Sequence, residues 1–224
     1  MASTDVPGES SSGSKPPPAR NFQVLEAVLH ASIYDDHKDQ LIERLKGMTD
    51  PFSSSFEEHE MVFALTFPES NEGPDVQLRL RRRFNLDLWH VRYVGTPIAD
   101  KCPAVCRASI DSVMYTKDMM DFVKHMGFRL IYEFVMKGWV FTRGPIKILV
   151  YKLCTTDKPG IYSKELIKPF GTSHIVEASI PVENEDTMKY SKLLKDFTDQ
   201  LMPLVEFRKV EYFRPRTGQF AKSS

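Results

Sequence analysis

The stretch whose reading decides the fold is GFRLIYEFVMKGWVFTRGPIKILVYKL, residues 127–153. Side chains on a β-strand alternate between two faces. Leu130, Tyr132, Phe134 and Met136 therefore share one face, and Arg129, Ile131, Glu133, Val135 and Lys137 the other. Gly144-Pro145 is a turn signal, and IKILVYKL then returns as a second strand. A strand with one apolar face and one face mixing Arg, Glu and Lys has two homes. It covers a core and looks at water, or it lines a polar tunnel inside a barrel.

Runs of the same kind extend outward from this hairpin. They fall at 58–67, 75–83, 88–95, 104–114, 128–137, 138–142, 146–154 and 172–182, with PESNEGPD, NLD, TRGP, TTDKPG and KPFGTS as punctuation. Short turns between strands imply antiparallel neighbours, and this many strands imply a sandwich or a barrel. A closed barrel leaves no open edge. The expected class is mostly β: a closed, many-stranded antiparallel barrel flanked by about three helices.

NFQVLEAVLHASIYDD (21–36) fits a helix or a strand, and the strand reading is preferred. Asp35 or Asp36 then caps a helix HKDQLIERLKG, with Gly47 as its left-handed stop. A second helix, 116–127, has Thr116 as cap and Gly127 as terminator; a third, 185–203, is stopped by Pro203. TDPFSSS (49–55) reads as a loop. LVEFRKVEYF (204–213) alternates like an edge strand, suited to pairing with another chain. The long connections 97–105 and 155–171 are candidate contact sites. Residues 1–20, rich in Ser, Gly and Pro, read as a disordered tail. Residues 21–213 then form one domain, and 214–224 a flexible C-terminal tail.

The chain has 224 residues, 30 basic and 30 acidic, for zero formal net charge. Balanced charge argues against a dedicated nucleic-acid binder. Three cysteines make no closed disulfide set, residues 1–20 lack an apolar leader core, and no apolar run is long enough to cross a bilayer. These features fit a soluble intracellular protein.

Chemical motifs are sparse. No G-x-S-x-G elbow or phosphate loop occurs. Cys102 and Cys106, with His90 and Cys154 as nearest candidates, lack zinc-site spacing, and buried thiols are the ordinary reading. In DVQLRLRRRF (75–84), Arg79, Arg81 and Arg83 share one strand face. They suit a polyanion such as RNA or an acidic tail. The plainer reading is a solvated face, or charges paired with acidic neighbours. In FEEHEMVFALTF (56–67), Glu58 and Glu60 point the same way. Paired carboxylates on one strand are one way to hold a divalent metal.

Several blocks then become familiar: HEMVFAL (59–65), WHVRYVGTP (89–97), residues 119–153, SHIVEASIP (173–181) and FTDQLMPLVEFRKV (197–210). In this order they closely resemble the Mediator complex subunit 18 family from about residue 56 to 210. The resemblance implies a nuclear, non-enzymatic subunit of the Mediator head module, linking transcription regulators to RNA polymerase II. It implies a heterodimer with Mediator subunit 20, a tethering C-terminal helix from Mediator subunit 8, contacts with other head subunits, and no cofactor or membrane. It also implies a barrel like that of the triphosphate tunnel metalloenzymes, which use a Glu-x-Glu-x-Lys strand and a second Glu-x-Glu. Here Glu58 and Glu60 match the first pair, but Val62 stands in the lysine's place. Glu177 matches one member of the second pair, with Ser179 in its partner's place. These three carboxylates are expected to be remnants of a degenerate tunnel. The alternatives are a metal-dependent tunnel hydrolase and an RNA-binding barrel.

Overall fold

A computed structural model of the chain describes residues 24–65, 76–83, 86–98, 101–156, 166–183 and 185–210. The tails expected at 1–20 and 214–224 lie outside the described residues. Nine strands and three helices are described: β1 (Val24–Tyr34), α1 (Lys38–Met48), β2 (Ser53–Leu65), β3 (Val76–Arg83), β4 (Leu88–Pro97), β5 (Val105–Tyr115), α2 (Met119–His125), β6 (Arg129–Arg143), β7 (Ile146–Thr156), β8 (Ile167–Pro169), β9 (Ser173–Val182) and α3 (Thr187–Asp199). The sheet runs β6-β2-β3-β4-β5-β1-β9-β7, and an antiparallel β6–β7 ladder closes it into an eight-stranded barrel. The short β8 adds to β7 beside β9.

The barrel has its main apolar cores outside the wall. The outward residues of β1 (Ala27, Leu29, Ile33), β9 (Val176, Ala178, Ile180) and β7 (Ile148, Val150) meet Leu41, Ile42 and Leu45 of α1 and Leu194 and Phe197 of α3. On the far side, Met61, Phe63, Leu80 and Trp89 are covered by Met119 and Val123 of α2. Each such Val, Leu, Ile, Phe or Met side chain, fully buried, stabilises by roughly 1.5–3 kcal/mol, so the helices are bound to the wall rather than appended to it. Asp186 caps α3 by accepting from the Lys189 backbone N–H at 3.1 Å.

Several boundaries differ from expectation. The runs 128–137 and 138–142 are one continuous strand, because Gly138 does not interrupt it. A Cβ at Gly138 would lie 2.1 Å from the Val150 carbonyl oxygen, so only glycine lets β6 and β7 approach this closely. Ser53–Ser55, expected in a loop, pair with Phe141, Val140 and Trp139 and start β2. Neither Asp35 nor Asp36 caps α1; both lie in a 3₁₀ turn, Asp35–His37, before it. Gly47 does not adopt the left-handed conformation, and Thr49 closes the helix by donating to Leu45 O through both its N–H and its hydroxyl. Gly127 does terminate the second helix, at φ 85°. Thr116 is not its cap, which is Asp118; the Thr116 hydroxyl accepts from the Asp118 N–H instead.

Among its described residues, LVEFRKVEYF is not a strand. It touches the sheet through one bridge, Arg208 to His30. Its alternation is nonetheless real, since Val205 and Phe207 are buried and Glu206 and Arg208 exposed. Packing against the outer core produced the period, not a ladder. Residues 211–213 lie outside the described residues.

Candidate functional site: the barrel lumen

Strand alternation and register place two unlike linings inside the barrel. On β6 and β7, Phe134, Met136, Val140, Leu149, Tyr151 and Leu153 form an apolar cluster. The other six strands contribute charge. The registers Glu60↔Arg81↔His90, Arg79↔Arg92↔Asp111, Glu26↔Arg107 and His30↔Glu177 carry this polar lining from β2 round to β9.

The sequence-selected residues meet in this lining. Glu60 is 1% exposed. Arg79 Nη1 donates to Glu60 Oε1 at 3.1 Å, and Arg81 donates to Glu60 Oε2 through Nε at 3.0 Å and Nη2 at 2.5 Å. Arg81 Nε also lies 3.8 Å from Glu58, and Arg83 Nε 3.6 Å from the other Glu58 oxygen. Arg79, Arg81 and Arg83 thus line one face, and each lies against an acidic side chain of β2. Burial opposes the Arg81 charge, but Glu60, then Glu177 and Glu58, outweigh it and raise its affinity for the proton. Glu177 lies 3.6 Å from His30. Burial pushes the Glu177 carboxyl up, but His30, Arg81 and Lys147 prevail and hold it at about 2.

A second cluster escaped the sequence reading. Glu26 of β1 accepts from Arg92 and, at 2.7 Å, from Arg107 Nε. Arg92 Nε also donates to the Ser109 hydroxyl at 3.0 Å, and that hydroxyl donates to Asp111 at 3.2 Å. Glu26 and Glu60 therefore play the same part on opposite stretches of wall: one buried carboxylate between two guanidinium groups. A signal existed, since Glu26 and His30 share one face of β1 with Val24 and Val28. What the sequence lacked was the pairing of β1 with β5.

Val62, in the lysine position of a tunnel enzyme, is fully buried and offers no cation. Ser179 is buried in the lumen at its expected carboxylate position. Among the described residues, no three His, Cys, Asp or Glu side chains converge in a way that would hold a metal ion. Cys102, Cys106 and Cys154 are buried and form no disulfide.

Outside the barrel, Lys152 Nζ donates to both Asp35 oxygens (2.9 and 2.6 Å) and to Gly171 O (2.9 Å), and His174 Nδ1 lies 2.8 Å from Asp35. Lys152 holds the Asp35 carboxyl below the usual range despite some desolvation, with His174 assisting. All three ammonium protons are used, so the cluster ties the end of β1 to β7 and the β8–β9 turn.

A closed eight-stranded antiparallel barrel with a charged lumen and helices on its outside resembles the triphosphate tunnel fold. A Hippeastrum protein described as having a dominant triphosphatase activity shares that fold, with a TM-score of 0.51 at 12% identity over 85% of this chain and 92% of that one. A chain in the Schizosaccharomyces pombe Mediator head module is more alike, with a TM-score of 0.69 at 13% identity over 83% of this chain and 98% of that one. The family model described as Med18 protein matches residues 25–214. Mediator of RNA polymerase II transcription subunit 18 from Caenorhabditis elegans is 39% identical over 202 residues, 86% of each chain. The chain belongs to the Mediator subunit 18 family.

Proposed function

We propose that this chain is a non-enzymatic, nuclear subunit of the Mediator head, a rigid barrel that links transcription regulators to RNA polymerase II by holding other subunits in place. One observation carries the non-enzymatic part. Both oxygens of Glu60 are hydrogen-bonded by Arg79 and Arg81 at 1% exposure. A tunnel hydrolase must turn its carboxylates toward a divalent ion and its cations toward phosphate. Here the two sets neutralise each other, and Val62 and Ser179 remove one cation and one carboxylate from the expected set. Family membership supports the assembly role. Mediator subunit 20 as barrel partner and a C-terminal helix of Mediator subunit 8 as tether follow from that resemblance. Residues 21–213 would act as one body, with the tails outside it.

Two measurements test this reading. The tagged full-length chain, purified from nuclear extract with cross-linking mass spectrometry, is expected to carry both named subunits in direct cross-links. Their absence overturns the partner assignment. Release of phosphate from tripolyphosphate with magnesium or manganese is expected to stay at background. Robust turnover lost on Glu58→Gln overturns the non-enzymatic reading.

A further inference from the structure

The outer wall of the barrel carries a charged row that crosses four strands. Register places Glu57 of β2 opposite Lys137 of β6, and Lys137 opposite Lys152 of β7. The β7–β9 ladder, with Tyr151 opposite Ile175, brings His174 of β9 next in line. Two lysines thus stand directly opposite each other, which costs free energy unless something opposes it. Each is drawn off by its own carboxylate. Lys137 Nζ lies 3.1 Å from Glu57, while Lys152 Nζ gives its protons to Asp35 and Gly171 O.

A recess of about 380 Å³ lies along this row, with Ser55, Glu57, Lys137, Trp139, Lys152 and His174 in its lining. It is not a plain solvated face, because the Lys152 and His174 side chains are only 10% and 12% exposed. Asp35, kept ionised by Lys152, can only accept a hydrogen bond. His174 Nδ1, 2.8 Å from Asp35, therefore carries the ring's proton, and Nε2 on the opposite edge is left to the recess. Lys38 Nζ of α1 lies 5.2 Å from the centre of the Trp139 ring. Three ammonium groups, of Lys38, Lys137 and Lys152, thus face two carboxylates, of Asp35 and Glu57. Asp39, the partner of Lys38, stands out in water. The balance around the recess is positive even with His174 neutral.

We propose that this recess binds a carboxylate side chain of a partner protein, with Lys137 Nζ and protonated His174 as its donors and Trp139 beneath an apolar neighbour in the same segment. A free oxyanion would leave most of the volume to water, whereas a glutamate beside an apolar residue fills it. Binding and protonation are linked. Burial, with Lys152 and Lys38, holds His174 below its usual value of 6.5 against the pull of Asp35. An anion beside Nε2 favours the charged ring, so affinity rises as pH falls through the titration of His174. This inference rests on the reading of the chain as an assembly subunit.

The test uses the full chain and two blocked five-residue peptides, one with a glutamate between two phenylalanines, the other with glutamine there. Trp139 emission reports occupancy; the second tryptophan, Trp89, is buried beneath α2 on another part of the wall. The glutamate peptide is expected to bind at least about tenfold more tightly than the glutamine peptide. It should also bind at least about threefold more tightly at about pH 5.5 than at about pH 7.5. Lys137 is 40% exposed, so Lys137→Ala leaves the fold intact and should weaken the glutamate peptide by at least about tenfold. His174→Gln should remove the pH dependence, and Trp139→Phe the signal. Should His174→Gln not fold, proton uptake by the unaltered chain, read as binding heat in two buffers, decides the same point.

No binding, equal binding of the two peptides, or indifference to Lys137→Ala overturns the proposal. An affinity flat across pH with no proton uptake overturns it too. Acetate or inorganic phosphate competing as tightly as the peptide makes the recess a site for free anions and overturns the partner assignment. Co-purification with Mediator subunits is measured separately. An intact complex with an unresponsive recess removes only this inference, while loss of the complex removes the function as well.

Discussion

The two linings of the lumen are built from the same kind of strand and held in opposite ways. Six strands, β2 to β9 by way of β1, face inward with Glu26, Glu60, Glu177, Arg79, Arg81, Arg92 and Arg107. Two strands, β6 and β7, face inward with Phe134, Met136, Leu149 and Tyr151. The apolar lining gains free energy simply by leaving water. The charged lining loses hydration, and its ion pairs roughly offset that loss. The charged wall therefore adds little net stability but penalises any broken pair.

The sharpest way to break this contrast is Glu60→Ala. It leaves Arg79 and Arg81 facing a buried gap, and a loss of about 3–5 kcal/mol is expected in urea unfolding. Replacing Glu60, Arg79 and Arg81 together by apolar residues of similar volume should recover most of that loss. If the single change costs under about 1 kcal/mol, the charged wall is not a closed network.

Acid titration probes the same wall without mutation. Glu177 is held at about 2, below its ordinary value of 4.5. A carboxylate depressed by folding contributes stability above its unfolded value and loses it as pH falls through the folded one. Unfolding free energy should therefore fall between about pH 5 and pH 2, by up to about 3 kcal/mol from this group. Glu177→Gln should flatten that limb; an unchanged limb would remove Glu177 from the network.

Gly138→Ala tests the apolar closure. Its Cβ would meet the β7 backbone, so a cost of about 1–3 kcal/mol, or more, is expected, with exchange rising along the β6–β7 ladder. The smallest effect belongs to the outer surface. Lys137 and Glu57 pair at 3.1 Å with each more than one-third exposed, so Lys137→Ala should change stability by less than about 0.5 kcal/mol.

The fold was largely legible because period-two alternation survives wherever one face is buried. The hairpin of 127–153 paired in the order its Gly144-Pro145 turn implied, and β1 was a strand as preferred. The misreadings share a cause. Ser53–Ser55 joined β2 because β6 was there to pair with them. The end segment 204–210 kept its alternation without a ladder because side-chain burial alone can impose it. Of the lumen, Glu58, Glu60, Glu177 and the Arg79–Arg83 row were visible on β2, β9 and β3. Glu26, Arg92 and Arg107 were not, because each is an isolated charge until β5 is laid beside β1.

Taken alone, the order of residues determined which side chains share a strand face, where turns fall, and which family the blocks of 56–210 resemble. Those properties depend on neighbours a few positions away. Only the tertiary structure decided which face became the lumen, that Arg79 and Arg81 are satisfied by Glu60, and that Glu26 lies between Arg92 and Arg107. Those outcomes depend on register between strands far apart in the chain, where a shift of one residue exchanges inside for outside.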